Sequence, residues 1–508
     1  MLAAALLRPA GAQQAAPPRG ETAPRVSWLA RGEELLLRED PVGAWRAFTS
    51  AWQDGDRGVD CRLGLGRVHL MLGRANEALG EAEAALAAAP RHQSVMALQI
   101  AAQIRARDFE GAARTAERHL RAVYGPGSEL LAAQGSALFR LQRIDEAAEA
   151  YRLVVGLDRE HAEANLRLGS GLLPPTEVRV GAELRAAVAA SRDGELDRAI
   201  QRLLAVLVRE PGNPIAHRLL GEALFTRRYR LSMAATDDAF VRLRAAMPTP
   251  QVRGLPIGEF VMGYAQLDAD RRAVVDAAVG LFASRLPKLV AVGATHDLLH
   301  ELDRTTDADA RANLRGRRTF DGRVWDDVRG IGGLTAATGI EALDEAMQFG
   351  FDTLAHEIAH QVHFYAMNQV QRVQIKTLYR RALDGNHCLD FYAASNEAEY
   401  FGQGVEAFRS LAKRPGSETT HGHTRFELFR VDQALHDFIA GLVDFDPLAG
   451  PNREELLRAA HAVALRVGRL EDARTAAEWV EDLQERVRLL AEIETASAAA
   501  ATPSGAPR

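Results

Sequence analysis

Apolar and small residues recur at helical spacing through the first half of the chain, and short polar turns interrupt them at regular intervals. Each of the turns DPVGAW, RANEAL, DFEGAA and RIDEAA opens a new amphipathic segment, and another such segment precedes it. The turns place Ala44, Ala78, Ala112 and Ala147 at intervals of 34, 34 and 35 residues. The pattern therefore predicts a repeated pair of helices.

The same period resumes after an interruption at GLLPPTEVRVG. Ala199 in DGELDRAI and Ala234 in YRLSMAAT are again 35 residues apart. Gly66 and Gly135 stand where two helices must approach closely. The period predicts about six helix pairs between residues 26 and 246.

This region resembles the tetratricopeptide repeat family, whose 34-residue unit, small-residue positions and closing proline are present in degenerate form. The resemblance covers more than 200 residues. It implies a right-handed solenoid in which each pair packs on the next and leaves a concave face open. Such arrays bind peptides and proteins, so we expect a protein partner on the concave face. The alternative is that the array only packs against the domain that follows it.

Length and charge narrow the possible functions. The 508 residues suggest about three compact units. The chain is 47% hydrophobic and has 62 basic against 68 acidic residues, without basic blocks, which argues against nucleic-acid and anionic-membrane partners. No apolar run reaches the roughly 18 residues of a membrane span. Cys61 and Cys388 are too few and too far apart for a disulfide framework or a cysteine zinc site.

The two ends of the chain differ in composition from a folded domain. Residues 1–25 begin with a short apolar run followed by AGA, which indicates either a signal peptide or a disordered leader. The first interpretation predicts a secreted or periplasmic protein, and the second a cytoplasmic one. Residues 493–508 are small and contain proline, and we predict a disordered tail there.

The candidate chemistry lies in FDTLAHEIAHQVHFYAMN. His356 and His360 are four residues apart in a helix-compatible run, so their imidazoles project from one face and can share one ion, for which zinc is the expected metal. Glu357 lies about 100° around the helix, where it can reach an activated water as a general base. Apolar neighbours such as Leu354, Ile358 and Phe364 predict a buried helix. The alternative is that both histidines only bond to backbone carbonyls.

A catalytic zinc site needs a third protein ligand. The extended pattern with a third histidine ten positions after the first is excluded, because Ala366 occupies that place. Downstream, FYAASNEAEYFGQGVEAF predicts a helix that begins near Ser395 or Asn396, either of which is a good N-cap.

Three carboxylates on this second helix compete for the role of ligand: Glu397, Glu399 and Glu406. Glu399 is the predicted ligand, because Phe401, Val405 and Phe408 mark the buried side of the helix. Glu397 lies in the first turn, where an acidic residue favours the helix dipole in any case. Periodicity alone leaves Glu406 open.

Three further histidines have weaker claims on a metal. His363 is predicted to lie beside the site without being a ligand. His421 and His423, in the polar segment TTHGHTRFELF, are predicted to be solvated, although they could bind metal as a pair.

The two motifs together resemble the catalytic domain of anthrax lethal factor and its relatives, zinc endopeptidases with a glutamate ligand. HEIAH is followed about forty residues later by YAASNEAEYF at 392–401. The resemblance extends from about residue 255 to 445. It implies that zinc binds to His356, His360 and Glu399, that Glu357 is the base and that Tyr392 donates to the transition state.

One position departs from that family. Gln403 stands where an acidic residue is often found one turn after the glutamate ligand. The hydrogen bonds that surround the metal ligands can therefore differ here.

The segments around these motifs predict further elements. KLVAVGATHDLL indicates a strand followed by a turn and a helix, and RTFDGRVWDDVRGIGGLTAATG indicates short strands separated by turns. The family resemblance implies that residues 334–338 form the strand that pairs with a bound peptide, with a plain loop as the alternative. Residues 450–492 are helical in period, and Gly468 resembles another repeat junction, so this segment should cover the metal domain or close the array.

The predicted fold class is therefore mainly α: a solenoid of helix pairs followed by an α+β, zincin-like metalloprotease domain. The predicted function is zinc-dependent hydrolysis of peptide bonds in polypeptide substrates, with the array binding a partner or the substrate. One alternative is an interaction scaffold whose zinc-binding domain is catalytically idle. Zinc-dependent hydrolysis of a non-peptide bond is another. A general base and a phenol beside the metal argue against an idle site.

Overall fold

The computed structural model describes residues 27–233, 238–414 and 422–500, and these residues are mainly helical. They form an array of helix pairs, a domain built around a small sheet, and a group of C-terminal helices. The predicted leader, Ala234 and residues 501–508 lie outside the described residues. Among the described helices, none is both long enough and apolar enough to span a membrane.

The array consists of twelve helices within the described ranges. They are α1 (Trp28–Leu37), α2 (Pro41–Gln53), α3 (Val59–Met71), α4 (Ala75–Ala88), α5 (Gln93–Arg105), α6 (Phe109–Ala122), α7 (Ser128–Arg140), α8 (Ile144–Leu157), α9 (Ala162–Arg167), α10 (Ala182–Arg192), α11 (Leu196–Arg209) and α12 (Pro214–Met233).

The turn inside each of the first four pairs repeats one backbone feature. Its left-handed residue is Glu39, Gly73, Arg107 or Gln142, with φ of 53°, 75°, 64° and 58°. A left-handed residue at this place ends the first helix and lets the next N–H bond back across the turn, as Asp108 N does to Gln103 O at 2.9 Å. The predicted period of 34 to 35 residues is confirmed as a geometric repeat.

The regular pairing is interrupted after α8 and resumes with α10 and α11, which pack together and are joined by a left-handed turn at Gly194 with φ of 82°. Helix α9 is short and continues into a π-helical turn at Leu168–Leu172, and α12 packs against α9. The predicted sixth pair is not formed, because α13 (Asp238–Ala246) leaves the array and buries Leu243 in a cluster with Leu456 of the C-terminal helices.

The first helices of successive pairs line the inner side of the array. Helix α1 packs on α3, α3 on α5 and α5 on α7. On this side Arg67 reaches Glu129 of α7 at 3.0 Å and Glu33 of α1 at 3.6 Å. The inner face is therefore polar and already holds ion pairs of its own.

Within the described residues, the second unit packs nine α-helices around a four-stranded sheet. The helices are α14 (Ile257–Phe260), α15 (Ala269–Gly280), α16 (Leu286–Ala291), α17 (Glu341–Met347), α18 (Thr353–Gln361), α19 (Gln369–Gly385), α20 (Glu397–Arg409), α21 (Arg425–Val431) and α22 (Gln433–Ala440), and the strands are β1 (Val261–Met262), β2 (Thr295–Leu299), β3 (Gly330–Ile331) and β4 (Thr335–Gly339). The strand order is β1-β2-β4-β3. Its buried apolar residues extend from Ile257 to Leu442.

The sheet is parallel except at one edge. β1, β2 and β4 run parallel, with His296 opposite Ala336, whereas β3 is antiparallel to β4 and pairs Gly330 with Thr338. The short strands predicted in RTFDGRVWDDVRGIGGLTAATG are present. The order predicted for KLVAVGATHDLL is wrong: helix α16 comes first, Gly293 makes a left-handed turn, and strand β2 follows.

The C-terminal helices are α23 (Arg453–Arg466), α24 (Leu470–Glu478) and α25 (Leu483–Ala500). Gly468 has φ of 76°, as in the turns of the array. Arg466 bonds to Asp40 of the array at 2.9 Å, and Thr424 of the sheet domain donates to Asp472 at 2.9 Å. The segment thus contacts both the domain and the start of the array.

The tail predicted from residue 493 onward is wrong for the residues the structure describes. Helix α25 continues to Ala500. The segment ETASAAA is rich in alanine, which has the highest helix propensity, and this extends the helix without large apolar side chains.

The turns inside the helix pairs form an edge that packs against the sheet domain. Arg107 donates to Leu389 O at 2.5 Å, and the rings of Phe109 and Phe391 meet edge to face at 5.2 Å. The array therefore does pack against the domain that follows it, through its turns. Binding of a partner on the concave face stays a prediction.

Candidate metal centre

Helix α18, which carries the two predicted histidine ligands, is buried and firmly capped. Asp352 accepts from Ala355 N at 3.0 Å, and Glu406 accepts from Asp352 N at 3.1 Å. Glu406 also pairs with the fully buried Lys413. Periodicity left Glu406 open as a ligand. Its side chain instead accepts a hydrogen bond at the start of α18, here called the metal helix, and does not face the histidines.

The two histidines and Glu399 converge on one point. Glu399 Oε2 lies 3.0 Å from His356 Nε2 and 3.6 Å from His360 Nε2, and the two Nε2 atoms are 3.0 Å apart. Among the residues that the structure describes, this is the one group of three or more potential ligands whose atoms lie within 4.8 Å of one another. Two imidazoles and one carboxylate match the ligand set of catalytic zinc sites.

In the part of the chain that the structure describes, the two histidines of this ligand set lack the hydrogen bonds that usually orient a metal-binding imidazole. Metal-binding histidines ordinarily donate their second ring nitrogen to a carboxylate or carbonyl. Here Nδ1 of both His356 and His360 is buried, and neither has a hydrogen-bond partner within the described ranges. Gln403, the departure noted in the sequence, is fully buried on the same helix as Glu399.

Helix α20 brings Glu399 to the histidines. Asn396 is the N-cap, not Ser395, and its side chain accepts from the backbone N–H groups of Ala398 and Glu399 at 3.0 Å each. A Cβ placed on Gly402 would lie 2.7 Å from His356 Cε1 and 3.0 Å from His360 Cε1. Glycine at 402 is therefore what allows the two helices to approach closely enough for one ion to be shared. No motif or periodic signal in the sequence marks this glycine.

The substitution Gly402→Ala is expected to push the two helices apart. We expect zinc affinity to fall by about 10-fold or more and the free energy of unfolding to drop by roughly 1–3 kcal/mol. Gly80→Ala is the matched control, since Gly80 is also helical and a Cβ there meets nothing within 4 Å. Zinc titration and urea unfolding of both variants measure this, and unchanged zinc affinity in Gly402→Ala would refute the role of the close approach.

Burial and neighbouring side chains shift the pKa of two carboxylates at the centre in opposite directions. Burial alone would raise the pKa of Glu399, but hydrogen bonds to His356 and His360 hold it well below its usual range. Burial raises the pKa of Glu357 to about 8, and the Glu399 carboxylate adds to the rise. Glu357 is thus a buried carboxyl beside the ligands and outside their set.

The edge strand β3 lies directly against the metal helix. A Cβ on Gly330 would stand 2.7 Å from Glu357 Oε1, and one on Gly332 would stand 2.9 Å from His360 Cβ. Residues 334–338 were expected to form the strand that pairs with a peptide. Residues 335–338 instead belong to the interior strand β4 (Thr335–Gly339), which pairs with β2 and with β3. That assignment is wrong, because β3 occupies the edge beside the metal helix.

Tyr392 lies in the segment that leads into helix α20, the helix that carries Glu399. Burial raises the pKa of its phenol, and the Glu399 carboxylate raises it further. The ring centroids of Phe320 and Tyr392 are 6.1 Å apart. Arg323 donates to Asp321 at 2.8 Å, and its charge lowers the pKa of Tyr392. No local signal in the sequence connects Phe320 or Arg323 with the metal motif.

Within the described residues, His363 and His423 lie outside the group formed by His356, His360 and Glu399. His363 stacks on Phe364 at 4.9 Å between ring centroids, and its Nε2 is 3.8 Å from Glu397 Oε1. The solvated position predicted for His423 is wrong: it is buried between Asp390 at 3.0 Å and Glu427 at 3.1 Å. His421 lies outside the described residues.

Comparison with known proteins gives only remote likenesses. No protein-family model matches the chain, and no curated protein matches it. The solved structures include TTC0263, a thermophilic TPR protein of Thermus thermophilus, at 19% identity and a TM-score of 0.27, covering 39% of this chain and 97% of that one. YrrB, a TPR protein described as having an unusual peptide-binding site, matches at 17% identity, a TM-score of 0.22 and coverages of 39% and 97%. Yeast Tom70 matches at 13% identity, a TM-score of 0.22 and coverages of 93% and 95%.

Proposed function

We propose that the protein is a zinc-dependent endopeptidase. The observation that carries the proposal is the convergence of His356, His360 and Glu399 within 4.8 Å, next to the buried carboxyl of Glu357. Two imidazoles and one carboxylate suit zinc and leave a position for a water or substrate. The resemblance of HEIAH and YAASNEAEYF to the lethal factor catalytic domain supports the same proposal and, with it, a zincin-like class for the sheet domain.

Each group at the centre has a part in peptide hydrolysis. Zinc held by the three side chains would supply a Lewis acid, and its charge would favour the ionised form of Glu357. Glu357 takes a proton from the attacking water and delivers it to the departing amine. Tyr392 donates a hydrogen bond from its phenol to the carbonyl oxygen of the scissile peptide as negative charge develops on that oxygen. A polypeptide bound in extended form can add a strand to the sheet beside β3, which brings its backbone along the metal helix.

The helical array is proposed to bind a protein partner or the substrate. Its inner face is lined by first helices and is polar, with Arg67 paired to Glu33 and Glu129. A polar inner face suits an extended peptide that brings hydrogen-bonding groups of its own.

A second candidate is an interaction scaffold whose metal domain binds zinc without turnover. The unpartnered Nδ1 atoms of His356 and His360 favour it, because missing outer partners weaken a metal site and lower its reactivity. The buried Glu357 beside the ligands favours the enzyme, since a site that only binds zinc has no use for a buried carboxyl outside the ligand set.

Metal analysis combined with a cleavage assay separates these functions. We expect about one zinc per chain, cleavage within peptides of an unfolded protein or peptide library, loss of cleavage on chelation and its return with zinc. Mass spectrometry of the products gives the position of each cut. Bound zinc without cleavage would support the scaffold, and hydrolysis confined to non-peptide bonds would overturn the endopeptidase assignment.

A further inference from the structure

The interruption in the array touches the rim of the metal centre. Gly171 belongs to the π-helical turn that follows α9 and has φ of 92°. Its carbonyl accepts a hydrogen bond from Val324 N at 2.8 Å. A Cβ on Gly171 would lie 2.9 Å from Val324 O and 3.1 Å from Arg323 Cβ, so the two segments meet backbone to backbone. Only glycine fits this contact and this φ without strain.

The segment on the other side of the contact is residues 317–324, here called the cleft loop. Its ends are tied by an antiparallel bridge between Arg318 and Val324, and Thr319 N donates to Arg323 O at 2.8 Å. Arg318 also reaches Asp145 of the array at 3.0 Å. The cleft loop is therefore a compact turn whose back rests on the array.

The front of the cleft loop faces the reacting groups. Phe320 is 57% exposed and has its ring 6.1 Å from that of Tyr392. Arg323 is oriented by Asp321 at 2.8 Å. Its guanidinium lies near enough to Tyr392 to lower the pKa of the phenol. One short turn thus links the array to the groups assigned to catalysis.

We infer that the helical array completes the active site: Gly171 fixes the cleft loop, and the loop positions Arg323 and Phe320 beside Tyr392. The kinetic consequences of this inference rest on the proposed peptidase function. The contact between the array and the loop does not depend on that function. It differs from substrate capture by the array, because a positioning role affects every substrate, including peptides too short to reach the array.

Gly171→Ala tests the positioning role by kinetics. We expect kcat to fall by about 10- to 100-fold for a short peptide and for an unfolded protein alike, with zinc content and KM little changed, since small misplacements at a reacting centre have effects of this size. Gly156→Ala is the control, because Gly156 lies on α8 and a Cβ there meets nothing within 4 Å. A loss confined to the protein substrate would overturn the inference in favour of capture.

Trypsin cleavage of the metal-free protein tests the contact without any peptidase activity. Arg317 and Arg318 lie in the cleft loop and are exposed, so release of the loop should speed cutting there by several-fold. Asp145→Lys is a second variant that keeps the array intact, since Asp145 is exposed and its reversal repels Arg318. Glu149→Lys on the same helix is its control, because Glu149 pairs only with Arg152 among the described residues.

We expect faster cutting after Arg317 and Arg318 in Gly171→Ala and in Asp145→Lys, and wild-type rates in Glu149→Lys and Gly156→Ala. Mass spectrometry of the early fragments identifies the bonds cut. Unchanged rates in both test variants would overturn the anchoring of the loop. Faster cutting in a protein that never cleaves peptides would uphold the contact and refute the peptidase function, so the two failures are distinguishable.

Discussion

Replacing Glu357 with glutamine is expected to lower kcat by a factor of about 10²–10⁴ while zinc remains bound. The amide keeps the shape of the side chain and removes its ability to accept a proton from water. Glu357 is next to His356 in sequence, but the atoms that converge as ligands belong to His356, His360 and Glu399. Loss of the base should therefore leave the metal site assembled.

Cleavage rates and zinc content measured on the same preparations check this expectation. Glu345→Gln is the control for a conservative change in the same domain, since Glu345 lies on α17 beside Lys413 and Arg414 and outside the ligand set. Full activity in Glu357→Gln would place the base elsewhere. Loss of zinc in that variant would show instead that Glu357 belongs to the metal site.

The features that the sequence predicted correctly depend on local spacing. A period of 34 to 35 residues is visible because each turn must contain a left-handed residue and begin a new helix, and Glu39 and Arg107 keep that geometry without glycine. The spacing of His356 and His360 likewise follows from one helical turn. The apolar side of its helix also singled out Glu399, which the structure brings to both histidines, and its role as a metal ligand stays a prediction.

The errors arise where distant parts of the chain decide the structure. His423 was predicted to be solvated but is buried between Asp390 and Glu427, and no local pattern shows those partners. Glu406 was left open as a ligand because its partner Lys413 has no local signal either. Phe364 was expected in the core but is 48% exposed, because the metal helix passes into a π-helical turn at Val362–Ala366.

Gly171 and Arg323 could not have been found from the sequence for the same reason. Gly171 lies in an interruption of the repeat, and Arg323 lies in a short turn between strands, so neither position has a periodic or motif signal. Their meeting depends on how the array docks on the sheet domain, which is a contact between residues far apart in the chain.

Glu399→Ala is expected to abolish cleavage and to weaken zinc binding by more than about 100-fold, since losing even an outer partner of a metal ligand costs about 10- to 100-fold. Glu397→Ala is the matched control: Glu397 lies two residues earlier in the same helical turn, and the nearest histidine nitrogen that it approaches is His363 Nε2 at 3.8 Å. We expect Glu397→Ala to keep its zinc.

Zinc titration against a competing chelator, with circular dichroism to confirm folding, distinguishes the two carboxylates. A third variant, Glu406→Gln, should lose stability before it loses zinc affinity, because it removes the negative charge that pairs with the buried Lys413. Loss of zinc in Glu397→Ala with retention in Glu399→Ala would reverse the ligand assignment. Glu399 places an oxygen 3.0 Å from His356 Nε2, so we expect the loss of zinc in Glu399→Ala and not in Glu397→Ala.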